Sequence, residues 1–189
     1  MFQNKIFDFN EINYLNYFII KEDREHLGDE ILAASRTSKI FSTKEGRCNY
    51  CAEMCNWLID VLDLSDEVIF IPYPSTNARK PKDRQIPYIV TKLLSEKNQN
   101  IIDGSDILYR SVTLEKNTRD VEKQYASLSV RNGSRIESKR VIVFDDVTTT
   151  GSSLIAGLNK IREFQPKESY GLAIAKKVYL NEVPLSGIY

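Results

Sequence analysis

The chain of 189 residues lacks several features that mark large classes of proteins. Lys plus Arg and Asp plus Glu both number 26, so no net charge draws the chain to nucleic acid or to an anionic membrane. The longest apolar run near its start, Tyr17–Ile20, is far too short to span a bilayer. The first residues also lack the basic start and long apolar stretch of a signal peptide. We therefore expect a cytoplasmic protein with no membrane partner.

Histidine and cysteine are scarce. The only histidine is His26, and the three cysteines are Cys48, Cys51 and Cys55. An odd number of cysteines fits a reducing compartment. One Cys-x-x-Cys pair is half of many zinc sites, but neither a second pair nor a nearby histidine completes one here. Together with Leu58 the cysteines recur at helical spacing, which favours a buried helix face over the alternative of a metal or redox role.

Short apolar runs alternate with helical patterns from residue 67 onward. Strands are predicted at Val68–Ile71, Ile101–Ile102, Arg140–Phe144 and Tyr170–Ile174, and helices at Gln85–Leu94 and Ser152–Phe164. This alternation predicts an α/β fold with a mostly parallel sheet core flanked by helices. Because 42% of the residues are hydrophobic and 28% are charged, the chain has the composition of a folded domain. We assign residues 1–189 to a single domain.

Two regions lie outside this alternation. Residues 1–63 are predicted to be mostly helical, with helices at Glu22–Ser35 and Arg47–Leu62, and to form a small hood or cap on the sheet. Leu114–Arg135 is polar, charged and without periodicity. Loops of this length in a compact domain are usually functional or disordered.

The clearest chemical signal is the segment Val141–Ser153, VIVFDDVTTTGSS. Its strand ends at Asp145 and Asp146, and ligands of open α/β sheets bind at the carboxyl ends of the strands. The turn that follows opens a helix at Ser152, whose unpaired N–H groups and positive dipole end favour phosphate. The acid pair suits sugar hydroxyls or Mg²⁺-bound waters. The segment therefore predicts a site for a ribose 5-phosphate.

This segment has three alternative interpretations, one structural and two functional. The Ser and Thr residues are common helix caps, so a purely structural strand–turn–helix is one alternative. A P-loop NTPase is excluded because no G-x-x-x-x-G-K-[ST] occurs in the chain, and a nicotinamide-binding turn is excluded because no G-x-G-x-x-G occurs.

The segment resembles the binding signature for 5-phosphoribosyl 1-diphosphate (PRPP) of type I phosphoribosyltransferases. In that signature four apolar residues, two acids and a further apolar residue precede small hydroxylated residues and a glycine. One position departs, because Thr148 stands where the family usually has an aliphatic residue. The resemblance covers residues 67–178, and it implies that Asp145 and Asp146 are catalytic and contact the ribose hydroxyls. The implied PRPP-binding residues are Asp145, Asp146, Val147, Thr148, Thr149, Thr150, Gly151, Ser152 and Ser153.

Further parts of the family's site are implied more weakly. The loop that holds pyrophosphate follows the first core strand, and the residues at that place are Ser75, Thr76, Asn77, Ala78, Arg79 and Lys80. Two of them, Arg79 and Lys80, match the charge of a diphosphate, although a solvated basic loop is the alternative. Leu114–Arg135 occupies the place of the family's mobile lid. Mg²⁺ is the implied cofactor, held through PRPP and water near the acid pair without direct protein ligands.

The implied activity is transfer of 5-phosphoribose from PRPP to a nitrogenous base, with release of pyrophosphate. The acceptor stays open, but family members that use 6-oxopurines carry an acid where this chain has Thr149. The order of Pro72-Tyr73-Pro74, basic loop, polar stretch and signature is also similar to the competence-associated, ComF-like branch. That branch often carries two N-terminal cysteine pairs, which this chain lacks.

The ComF-like likeness keeps a second hypothesis open, in which the protein is a non-catalytic sensor of PRPP or a nucleotide, linked to regulation or DNA uptake. Direct binding to nucleic acid is not favoured, because no basic stripe interleaved with aromatic residues occurs. The partners implied are PRPP and a small-molecule acceptor. The sequence does not fix the oligomeric state, for which a homodimer is one candidate.

Overall fold

The computed structural model describes residues 7–9, 12–19, 44–82, 85–115 and 118–178. Six strands form one sheet in the order β1-β2-β8-β7-β3-β4. These are β1 (Phe7–Phe9), β2 (Ile12–Ile19), β3 (Val68–Pro72), β4 (Ile101–Asp103), β7 (Arg140–Thr148) and β8 (Glu168–Val178). β1 is antiparallel to β2, and the other neighbouring strands run parallel. A separate antiparallel pair joins β5 (Leu108–Arg110) to β6 (Leu128–Val130).

Helices cover both faces of the sheet. They are α1 (Lys44–Val61), α2 (Ile86–Lys97), α3 (Val121–Ala126) and α4 (Ser152–Arg162), with a 3₁₀ turn at Gly133–Arg135. Successive side chains of β3 and β7 point to opposite faces, so each face buries its own apolar cluster. Phe70 and Phe144 pack with α1 and α2 on one face, whereas Ile71 and Val143 pack with α4 on the other. The expected fold class, a parallel sheet core flanked by helices, is confirmed.

The neighbouring strands β3 and β7 lead in opposite directions. β3 continues through α2 to β4 on one side, and β7 continues through α4 to β8 on the other. Their carboxyl ends therefore form a topological switch point, the place where open α/β sheets bind ligands. Close packing of α4 against this point needs a glycine, because a Cβ at Gly157 would lie 3.1 Å from ring atom Cδ2 of Tyr73 and from Cγ1 of Val143.

The prediction that residues 1–63 are mostly helical is wrong for residues 7–9 and 12–19. Two strands, β1 and β2, lie there, and β2 extends the sheet as the parallel neighbour of β8. This pairing is between distant parts of the chain, and no local pattern reports it. The predicted helix Glu22–Ser35 lies outside the described residues, so the helical hood is described only from Lys44 onward.

The predicted helix Arg47–Leu62 is confirmed as α1, which begins three residues earlier, at Lys44. Cys51 and Cys55 are fully buried in the core beneath it, which confirms the buried helix face for these two residues. The side chain of Cys48 is not among the described ones. Burial raises the pKa of the Cys55 thiol to about 11, so this group stays protonated and unreactive at neutral pH.

Leu114–Arg135 is not the single irregular loop that its composition predicts. It contains α3, β6 and the 3₁₀ turn. α3 begins where it does because the Asp120 carboxylate accepts hydrogen bonds from the N–H groups of Glu122 and Lys123, at 2.9 and 3.1 Å. Of the described residues in this segment, residues 114–115, 118–120, 127 and 131–132 lie outside these elements. Among the described residues, no helix is both long enough and apolar enough to cross a membrane.

Candidate functional site

Two cavities lie side by side at the switch point. Cavity A, of about 380 Å³, is lined by Tyr73, Pro74, Ser75, Thr76, Lys80, Gln85, Ile86, Pro87, Asp145, Asp146 and Ser153. Cavity B, of about 180 Å³, is lined by Thr76, Thr118, Arg119, Gln124, Asp145 and the run from Val147 to Ser153. Thr76, Asp145 and Ser153 belong to both linings, so the two cavities share one wall. A single ligand with two different ends can therefore occupy both.

The acid pair borders this shared wall, with Asp145 in both linings and Asp146 in that of cavity A. The predicted strand end at Phe144 is wrong, because β7 continues past both acids to Thr148 and pairs there with β8. Asp145 and Asp146 are partly exposed and line cavity A, so neither carboxylate is turned into the core. Each uses one oxygen to accept the next residue's N–H, at 2.9 Å for Asp145 and 2.8 Å for Asp146. Local bonds of this kind fix the rotamers and leave the other carboxylate oxygens directed away from the main chain.

Asp145 holds a proton more tightly than an ordinary carboxyl. Burial, followed by the charge of the neighbouring Asp146, raises the pKa of Asp145 well above its usual value, while the guanidinium of Arg110 opposes the rise. A cation that enters beside the pair would favour the ionised form and displace this proton.

The turn after β7 presents a helix N-terminus to cavity B. Gly151 adopts a left-handed conformation, with φ of 78°, at the N-cap of α4, and no side chain caps this helix. The nearest hydroxyl to the first helical N–H, Oγ1 of Thr150, is 3.5 Å from the Ser152 nitrogen. Among the described residues, the side-chain acceptors at this turn are the hydroxyls of Thr148 and Thr150, and the alternative of a purely structural turn stays a prediction. An uncapped N-terminus that opens on a cavity favours an anion.

Thr148, the departure from the family signature, has a structural consequence. It is buried, and its hydroxyl accepts a hydrogen bond from the Gly151 N–H at 3.0 Å. An aliphatic residue could not make this bond. The hydroxyl thus stabilises the tight turn from inside the loop.

The loop predicted to hold pyrophosphate divides into two parts. Ser75, Thr76 and Lys80 line cavity A, whereas Asn77, Ala78 and Arg79 are exposed and line neither cavity. The loop folds back on itself because Gln85 bridges its ends. The Gln85 side chain accepts from the Ser75 N–H at 2.9 Å and donates to the Lys80 carbonyl at 2.8 Å.

A second helix N-terminus faces cavity A. Gln85 is the N-cap of α2 and makes no side-chain capping bond, and the next two residues, Ile86 and Pro87, line the cavity. No acidic residue lies in the first turn of this helix. Together with the Lys80 ammonium, this end of α2 provides a positive environment opposite the acid pair. Sequence reasoning placed the helix but did not connect its N-terminus with the site.

The segment predicted as a lid contributes two residues to cavity B, Thr118 and Arg119. It is joined to the opposite loop, because the Leu114 N–H donates to the Thr76 carbonyl at 2.9 Å and the Ala78 N–H donates to the Thr113 hydroxyl at 3.1 Å. The Thr118 carbonyl accepts from the Gln124 side chain at 2.7 Å. A closing motion of this segment stays a prediction.

The donor set at the acid pair fits Mg²⁺ when a phosphate ligand is present. Among the described residues, no cluster of three or more His, Cys, Asp or Glu side chains could hold a metal ion. Mg²⁺ usually keeps several of its waters and is bound together with phosphate oxygens, and the carboxylates of Asp145 and Asp146 could hold it through those waters. Among the described residues, Lys80 is the only cationic side chain in the cavity A lining, so a divalent cation would also relieve repulsion between a diphosphate and the acids.

The fold and site define an α/β protein with an acid pair between two helix N-termini. Neither a family model nor a curated protein matches the chain. Similar solved structures include a hypoxanthine phosphoribosyltransferase from Trypanosoma cruzi (14% identity, TM-score 0.40, covering 80% of this chain and 75% of that one). Another is a hypoxanthine-guanine phosphoribosyltransferase from Bacillus anthracis (15% identity, TM-score 0.43, 78% and 76%), which gives a TM-score of 0.45 in a structure with HEPES in its active site. At these values the likeness identifies neither the activity nor the ligand of this chain.

Proposed function

We propose that the protein is a Mg²⁺-dependent phosphoribosyltransferase that binds PRPP across cavities A and B. The observation that carries this proposal is the arrangement of two anion-favouring helix N-termini on either side of one acid pair. PRPP has the matching layout, with a phosphate on C5, a ribose diol, and a diphosphate on C1.

Each part of the ligand has a compartment of fitting chemistry. The 5-phosphate belongs in cavity B, on the N–H groups at the start of α4, where Arg119 adds a positive charge. The ribose lies against Asp145 and Asp146, which accept hydrogen bonds from its hydroxyls. The diphosphate belongs in cavity A, beside Lys80 and the N-terminus of α2.

The chemistry follows from this placement. A ring nitrogen of the acceptor forms a bond to C1 with its lone pair, the C1–O bond breaks, and pyrophosphate leaves with that electron pair. The nitrogen then releases its proton. Lys80 and the α2 N-terminus stabilise the departing negative charge, and the carboxylates orient the ribose and face the positive charge that develops on the sugar. Mg²⁺, held by the acid pair and the diphosphate, would neutralise part of the leaving group's charge.

The acceptor is left open, since the residues that line cavities A and B account for the PRPP end of the reaction alone. Thr149 is exposed at cavity B and has no carboxylate to receive a hydrogen bond from a 6-oxopurine ring. This supports an acceptor other than hypoxanthine or guanine.

The experiment that tests the proposal is pyrophosphate release from PRPP and Mg²⁺ with a panel of purine, pyrimidine and pyridine bases. We expect release with one class of base and none when EDTA removes the metal. PRPP binding by calorimetry without release for any base would instead support the sensor hypothesis. Absence of PRPP binding would remove both.

A further inference from the structure

Arg110, at the end of β5, is buried in an unusual way. Only 5% of this residue is exposed. None of the ion pairs among the described residues includes it, so no carboxylate lies within 4.0 Å of its guanidinium nitrogens. Burial of a cation without a paired anion is costly unless its N–H groups are all engaged. The position of Arg110 therefore depends on its hydrogen bonds.

The guanidinium donates to five uncharged oxygens from two parts of the chain. They are the carbonyl of Ser75 (from Nε, 2.8 Å), the carbonyl of Pro74 (from Nη2, 3.3 Å), the hydroxyl of Tyr73 (from Nη2, 3.1 Å), the side-chain oxygen of Gln124 (from Nη2, 3.0 Å) and the hydroxyl of Ser127 (from Nη1). The Tyr73 hydroxyl donates onward to Gln124 at 2.9 Å. Arg110 thus links the turn after β3 to the end of α3.

Two of these acceptors are main-chain carbonyls of residues that line cavity A. Arg110 itself lines neither cavity, so the carbonyls of Pro74 and Ser75 point to the protein side of the cavity wall. A trans peptide group is planar, with its C=O and N–H antiparallel. When the Ser75 carbonyl turns toward Arg110, the Thr76 N–H of the same peptide group turns away from it. Thr76 lies in the wall that cavities A and B share.

We propose that Arg110 is a positioning residue for the diphosphate end of the ligand, an inference that rests on the proposed function. Arg110 binds the Pro74 and Ser75 carbonyls on the protein side of the wall, so their negative dipole ends do not face the diphosphate in cavity A. The Thr76 N–H, on the opposite side of the Ser75 peptide group, is then turned toward the diphosphate. The same network also fixes the backbone at Thr118, since the Gln124 side chain donates a hydrogen bond to the Thr118 carbonyl. Lysine cannot replace this function, because an ammonium cannot satisfy five acceptors with a planar fork.

The test compares the wild-type protein with Arg110→Met and Arg110→Lys, and with Arg140→Lys as a matched control. Arg140 is also a buried arginine, 8% exposed, but lies at the opposite end of the sheet. Two quantities are measured: hydrogen exchange at the Ser75 and Leu114 amides without ligand, and dissociation constants for Mg²⁺-PRPP and for ribose 5-phosphate. Ribose 5-phosphate lacks the diphosphate, so it reports the 5-phosphate and ribose contacts without those of the diphosphate. Thermal unfolding confirms that each variant folds.

We expect both Arg110 variants to exchange about tenfold faster or more at Ser75 and Leu114, since each bond to a charged donor contributes strongly to local stability. PRPP should bind about tenfold more weakly, with the affinity for ribose 5-phosphate within about twofold of wild type. Arg140→Lys should change neither quantity.

Two results would overturn the role of Arg110. One is unchanged hydrogen exchange at the Ser75 and Leu114 amides in both Arg110 variants. This result would exclude the positioning role whether or not any ligand binds. The other is an equal loss of affinity for PRPP and ribose 5-phosphate, which would show a general structural role. If the wild-type protein binds neither ligand, the proposed function fails together with the diphosphate role. If it binds PRPP and Arg110→Met matches it, only the present inference fails.

Discussion

The two ends of the central sheet differ in whether their buried charged groups form ion pairs. At the amino end of β7, Arg140 is surrounded by carboxylates of Asp63, Asp66 and Glu168, with N···O distances of 3.9, 3.8 and 3.7 Å. At the carboxyl end of the sheet, the ion pairs among the described residues include neither Arg110 nor the two aspartates. Charges that neutralise one another within the protein stabilise the fold. Asp145 and Asp146 make no ion pair among the described residues and line a cavity, so a ligand or metal ion can neutralise them, and this difference locates the site.

The largest effect is expected when the negative charge of the acid pair is removed. Asp145→Asn together with Asp146→Asn should weaken Mg²⁺-PRPP binding by more than about 100-fold, because the carboxylates that accept hydrogen bonds from the ribose hydroxyls and from Mg²⁺-bound waters are lost. Calorimetry gives the affinity and circular dichroism confirms the fold. Asp63→Asn with Asp66→Asn, at the amino end, is the matched control and should leave affinity unchanged. Equal affinities for the two double variants would contradict the account.

The next effect separates two arginines, Arg119 in the lining of cavity B and Arg79 in the predicted pyrophosphate loop. Arg119→Ala should weaken both PRPP and ribose 5-phosphate about tenfold, because Arg119 lines cavity B and a charge-assisted bond to phosphate is lost. Arg79→Ala should change affinity by less than about twofold, because this exposed side chain lines neither cavity. The reverse ranking would restore the role that the sequence predicted for Arg79.

At the amino end the expected change is in stability. Arg140→Met should lower the free energy of unfolding by about 1–3 kcal/mol, because three carboxylates lose their shared cation. The loss stays modest because all three carboxylate side chains are exposed and partly screened by solvent. PRPP affinity should not change. Denaturant unfolding and calorimetry on one sample measure both. A variant that loses affinity but keeps its stability would reverse the assignment of the two ends.

The smallest effect concerns pH. The pKa of Asp145 is raised in the folded state, so the unfolded chain loses this proton at a lower pH than the folded protein does. The contribution of Asp145 to the free energy of unfolding therefore falls as pH rises toward and through the raised pKa. Asp145→Asn cannot ionise and should be more stable than wild type at about pH 8, with the difference shrinking toward about pH 4. Thermal unfolding across this range measures it. A difference that does not change with pH would show that Asp145 is not desolvated.

The parts predicted correctly from sequence are those whose signal is local. The strand, acid pair, turn and helix of Val141–Ser153 are contiguous, so one segment contains both the pattern and its chemistry. β2 was missed because its identity as a strand depends on pairing with β8, more than 150 residues away in the chain. α3 was missed because a helix of 6 residues is too short to show a period.

The site shows the same division. Arg110 and Gln85 could not be identified in advance, because their partners are brought together only by the fold: Arg110 binds residues 14 to 37 positions away. In the pyrophosphate loop the residue types predicted the charge of the segment but not which side chains face the cavity. Lys80 does and Arg79 does not, a distinction set by the Gln85 bridge across the loop.

The most direct measurement is a crystal structure of the protein soaked with PRPP and Mg²⁺. The account predicts the 5-phosphate on the N–H groups at the start of α4, the ribose hydroxyls against Asp145 and Asp146, and the diphosphate beside Lys80. Density for the ligand away from both cavities, or a ribose that does not contact the acid pair, would contradict it.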